Sequence, residues 1–144
     1  MPNRSTAQVV TVVLLLLLAG CGALNTPTEM KREPPAIELL VEAPIGEIYR
    51  RAAEGIRTCY TDQAIGFTHS QVYADFFESE GRAEISSKTV NAGWNRTDQI
   101  IALWRQSEKE TRVQIWVAKV RPSGLEQWYR QLVTVGVERC FSLL

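Results

Sequence analysis

The chain has 144 residues, sixteen Lys and Arg against sixteen Asp and Glu, one histidine and 45% hydrophobic residues. That length holds one small domain. No run of Lys and Arg exceeds two residues, so the neutral chain lacks the basic stripe with which proteins displace counterions from phosphates, and nucleic acid is excluded as an expected partner.

Arg4 precedes an apolar run that reaches Leu18 and ends in Leu18-Ala19-Gly20-Cys21. From Val9 the run is about ten residues, half of what an α-helix needs to cross a bilayer, so the segment reads as an export signal and not as a span. The four residues from Leu18 to Cys21 resemble the lipobox of bacterial lipoproteins. That resemblance implies cleavage before Cys21, acylation of the Cys21 thiol with palmitate or a similar chain, and a second acylation of the new amino terminus. Position 22 is glycine and not the aspartate that often marks inner-membrane retention, so the resemblance implies the periplasmic face of the outer membrane. The expected organisation is a removed signal over 1–20, a lipidated cysteine and flexible tether over 21–36, and one periplasmic domain over 37–144.

Pro27, Pro34 and Pro35 forbid a continuous helix through the tether and favour extended chain. Beyond it, Pro44 suits a first helical turn. Ile45, Ile48, Tyr49, Ala52, Ile56, Cys59 and Tyr60 then recur at spacings of three and four, which predicts a helix with one apolar stripe. Cys59 and Cys140 are the thiols left after Cys21. In an exported chain they are expected to form a disulfide, with two separate buried thiols as the alternative. Two cysteines and one distant histidine do not make a tetrahedral zinc set, so no metal or cofactor is expected.

From Val72 the pattern turns to β. Val72 to Glu78 and Arg82 to Val90 flank the turn Ser79-Glu80-Gly81, and a second hairpin joins Gln99 to Arg105 with Thr111 to Val120 through a polar turn at Ser107 to Glu110. Ser123 and Glu126 have capping-box spacing, which predicts a last helix with Leu125, Trp128, Leu132, Val135 and Gly136 on its stripe and Cys140 beyond. Gly136 is expected to mark close approach to the first helix. The resulting expectation is an α+β fold, an antiparallel sheet of four or five strands with the N- and C-terminal helices packed on one face and joined by the disulfide. A disulfide between helix ends requires the two helices to run parallel. The segment Thr61 to Gln71, with Ile65 and Phe67 alternating, is expected to recross the layer as a short fifth strand or a buried loop.

No nucleophile motif or phosphate loop accompanies these elements. His69, near Tyr60, Asp62 and Asp75 in sequence, reads as a loop histidine, and the general-base alternative for a hydrolase has no nucleophile beside it. Glu78, Glu80, Glu108 and Glu110 flank turns. The aromatic residues carry the binding expectation. Trp94 falls in an expected loop, and Trp116 with Ile101 or Leu103 would form an exposed apolar patch for a protein partner if they share the sheet face away from the helices. The alternative is a groove between helices and sheet that takes a lipid tail or small hydrophobic ligand. The globular part also resembles small uncharacterised proteobacterial lipoproteins with a cysteine ending a first helix and another near the C-terminus, a resemblance that carries no catalytic residues. The expected function is a non-enzymatic, lipid-anchored envelope protein that binds another envelope component.

Overall fold

Five antiparallel strands form one sheet, β1 (Ile37–Val41), β2 (His69–Phe77), β3 (Arg82–Asn91), β4 (Trp94–Ser107) and β5 (Glu110–Val117), in the order β1-β5-β4-β3-β2. Three helical segments accompany them, α1 (Pro27–Met30), α2 (Ile45–Tyr60) and α3 (Leu125–Thr134). The computed structural model describes residues 26–60, 68–91, 94–118, 123–137 and 139–141; the export signal, Cys21 and residues 61–67 of the crossing expected over Thr61 to Gln71 lie outside them, and His69 to Gln71 of that segment begin β2.

The fold is α+β, as the pattern implies, and the sheet has five strands. The fifth strand is β1, ahead of the first long helix, and it pairs with β5 through Ile37↔Ile115 and Leu39↔Val113. Alternation explains the pairing, because Ile37 and Val41 turn into the core while Leu40 stays 61% exposed. One core holds Ile48, Ala52 and Ile56 of α2, Tyr129, Leu132 and Val133 of α3, and Ile85, Ile101, Leu103, Val113 and Ile115 of the strands. The sheet side that joins this core is called the core face and the other the outer face.

The Cys59–Cys140 disulfide is present, with Cα atoms 5.3 Å apart. It does not require parallel helices. Arg51 donates to the Thr134 carbonyl at 2.6 Å, Gly55 lies against Leu132 and Val137, and Tyr60 lies near Tyr129, so α3 runs antiparallel to α2. The bond closes because α3 stops at Thr134 and the chain turns at Gly136, whose φ of +109° is a left-handed conformation that favours glycine. The tail then returns along α3, where the Trp128 indole donates to the Arg139 carbonyl at 3.0 Å, and this brings Cys140 back to the end of α2. Close helix approach falls at Gly55 and not at Gly136. A Cβ on Gly55 would collide with Leu132 Cδ1 and lie 2.6 Å from Val137 Cγ2, whereas Gly136 has open space around it.

Ser123 does not cap α3, which starts from Gly124 without a side-chain cap. The capping box lies instead at Thr26 and Glu29 around α1, within the segment expected to be a free tether.

Candidate functional site

The outer face of the sheet is built from alternate residues of all five strands, and the chain segment from Thr26 to Glu33 lies across it as a strap. Met30 at the end of α1 is buried with Ile100, Ala102 and Trp116 in a second, small apolar cluster. Lys31 pairs with Glu84 of β3, and the Trp116 indole donates to the Glu33 carbonyl at 2.8 Å. The strap is preorganised at its start by Pro27 in the first turn and by the Thr26–Glu29 box. Hydrogen bonds from the Thr26 backbone N–H and then its hydroxyl hold the Glu29 carboxyl below its ordinary range.

These contacts settle where the expected patch residues lie. Ile101 and Leu103 are fully buried in the main core, so neither shares a face with Trp116. Trp116 does turn to the outer face, but the strap covers it and leaves it 9% exposed. Trp94 begins β4 at the end of the β3–β4 ladder, paired with Asn91, and is 37% exposed.

Two other parts of the outer face remain open. At one end of the strands, the register places Phe77, Arg82, Trp104, Arg112 and Leu40 side by side across the whole sheet. The Arg82 guanidinium lies 4.0 Å from the Phe77 ring centroid, Trp104 is 41% exposed, and Arg112 is held by Glu38, which accepts from its Nε at 2.8 Å. Hydrogen bonds from Gln114 and then Arg112 keep the Glu38 carboxyl below its usual range. Toward the other end, a recess of about 240 Å³ lies between the strap's Thr26 and Pro27 and the sheet's Gln71, Tyr73, Lys88, Val90, Asn95 and Thr97. Polar and apolar side chains line it together and it opens on the outer face, unlike the greasy groove between helices and sheet considered from the sequence.

His69 is exposed on β2, with Nε2 3.2 Å from Gln71 Nε2. Asp75 is six residues further along the same strand, about 20 Å away, so the two do not form a His-carboxylate pair. Among the described residues no group of three His, Cys, Asp or Glu could hold a metal ion, and no helix is long and apolar enough to cross a membrane.

A buried polar network not anticipated from the sequence joins α3 to the sheet. The Tyr129 hydroxyl donates to Gln99 Oε1, and Gln99 Nε2 donates to Ser87 Oγ at 2.9 Å. Burial, and then the neighbouring Tyr60 and Asp98, push the Tyr129 hydroxyl well above the ordinary tyrosine range, and burial with Asp98 raises Tyr60. Both rings therefore stay neutral, and the network serves as internal structure. A comparison of the chain with family models, curated proteins and solved structures finds no match.

Proposed function

We propose that this is a non-enzymatic cell-envelope protein, exported, acylated at Cys21 and held at the periplasmic face of the outer membrane, whose domain binds another envelope protein. Both of its long helices pack on the core face, which leaves the outer face for recognition. The row from Phe77 through Arg82, Trp104 and Arg112 to Leu40 carries this reading. Aromatic and arginine side chains side by side on an exposed sheet face have the composition that interface centres favour. Sequence features support the anchor: the apolar run to Leu18, the Leu-Ala-Gly-Cys tetrad and the proline-rich stretch that follows.

Metabolic labelling with palmitate should mark the wild-type chain and not Cys21→Ser. Crosslinking in intact cells followed by purification should recover one partner whose yield falls at least tenfold with Trp104→Ala. An unlabelled wild-type chain overturns the anchor, and a partner yield indifferent to Trp104 overturns the recognition surface.

A further inference from the structure

The strap changes how far the domain can stand from an anchor at Cys21. A free tether to residue 36 would reach about 50 Å, but the chain is already fixed to the sheet at Thr26, five residues after Cys21, and five residues extend to at most about 18 Å. Thr26 lines the same recess as Val90 and Asn95, which pair one residue short of the Asn91–Trp94 end of the β3–β4 ladder. The lipid is therefore tied close to that end of the sheet. The row containing Trp104 lies at the opposite end, about 20 Å along the strands from Lys88.

We infer that the β3–β4 end of the sheet rests on the surface of an anionic phospholipid bilayer, with Trp94 at headgroup depth, Arg96 two residues along β4 on the same face, and Lys88 about 10 Å along the strands on the opposite face. The inference rests on acylation at Cys21. Three features of this end suit such a surface. Trp94 is 37% exposed, and an indole pairs an apolar ring with a polar N–H, the combination that settles at membrane–water interfaces. The last four register pairs, from Lys88↔Thr97 to Asn91↔Trp94, contain no carboxylate, and with Arg96 set against Asp98 in an ion pair, Lys88 supplies the excess positive charge there. Among the described residues here, Asp98 accepts from Arg96 at 3.0 Å and from Thr89 at 2.6 Å, and Glu29 is turned into its own cap. Lys88 also lies over the Tyr73 ring, 4.6 Å from its centroid, which sets a cation beside a second exposed aromatic on the outer face. The consequence is an orientation in which the Trp104 row faces away from the bilayer.

The test uses the full mature chain purified with its lipid. It is placed in vesicles of three parts phosphatidylethanolamine to one part phosphatidylglycerol whose acyl chains are brominated near their ester ends. Bromine quenches only indoles that reach the interface. Wild-type and Trp104→Phe proteins should lose equal fluorescence relative to unbrominated vesicles, whereas Trp94→Phe should lose less than half as much. Lys88→Gln with Arg96→Gln should weaken quenching only when phosphatidylglycerol is present. Intact mass separates the two layers of the argument. An unacylated Cys21 overturns the anchor and this inference together, while an acylated protein whose quenching is absent, or unchanged by Trp94→Phe, overturns the membrane contact alone.

Discussion

The Trp116 indole and the Glu33 carbonyl, 83 residues apart in sequence, are joined by a hydrogen bond of 2.8 Å that closes the strap over the outer face of the sheet. Beside it, Met30 fills the space above Ile100 and Ala102. Met30→Ala should therefore cost about 2 kcal/mol, the low end for truncating a buried methionine because this cluster is small and near solvent. Trp116→Phe keeps most of the apolar contact and should cost about 1 kcal/mol for the lost hydrogen bond. Urea unfolding measures both, and trypsin cleavage after Lys31 or Arg32 should accelerate in both variants before the rest of the domain is cut.

Gly55 and Gly46 both lie in α2 and should respond in opposite directions. A methyl group at 55 meets Leu132 and Val137 across the helix pair, so Gly55→Ala should destabilise by about 1–3 kcal/mol through overpacking. Nothing lies within 4 Å of a Cβ at 46, so Gly46→Ala should be neutral or gain up to about 0.5 kcal/mol from helix propensity. Thermal unfolding of the two proteins checks the contrast.

The disulfide spans 81 residues, for which the chain-entropy estimate is about 4.5 kcal/mol. Reduction, or replacement of Cys59 and Cys140 together by serine, should lower Tm by about 15 °C or more in a domain of this size. Because the bond ties the returning tail to α2, hydrogen exchange in the reduced protein should rise first at residues 137 and 139–141.

Tyr129 and Tyr60 bind their phenolic protons more tightly folded than unfolded. Above the ordinary tyrosine value of 10.0 the unfolded chain loses these protons first, so it holds fewer than the native state and stability must fall as pH rises. This contribution is fully present below pH 10 and is lost upward from there. Urea unfolding at stepped alkaline pH should show the decline, and Tyr129→Phe should make it shallower while losing about 1 kcal/mol at neutral pH from the broken bond to Gln99. Absorbance titration should show Tyr60 and Tyr129 ionising above the ordinary tyrosine range.

The central hairpins were legible because their alternation is long and their turns are polar, as with Ala83, Ile85 and Ser87 against Ser79-Glu80-Gly81. The helix over Ile45–Tyr60 was legible from its stripe, and the sulfur pairing from the count of cysteines. β1 was not, because Ile37-Glu38-Leu39-Leu40-Val41 is five residues with Leu40 on its exposed side, and a short edge strand is chosen by its partner β5 more than by its own pattern. The direction of α3 differs from the expected one because its stripe does not continue through Gly136 to Cys140; the glycine after Val135 fits a helix end instead. The same Ser/Thr-x-x-Glu spacing that suggests a cap at Ser123 is present at Thr26, where Pro27 strengthens it, and it announces the short helix α1. Trp116 was placed on the outer face by alternation. Its covering could not be read, since nothing local to Met30 names the surface it packs against.

The strap is tested most directly by nuclear Overhauser contacts from the Met30 methyl group in the mature chain. Contacts to the Trp116 indole and the Ile100 and Ala102 methyl groups are expected, with the Trp116 indole proton protected from exchange. A Met30 methyl at its random-coil shift, with no contact to Trp116, would contradict the docked strap and restore a long free tether.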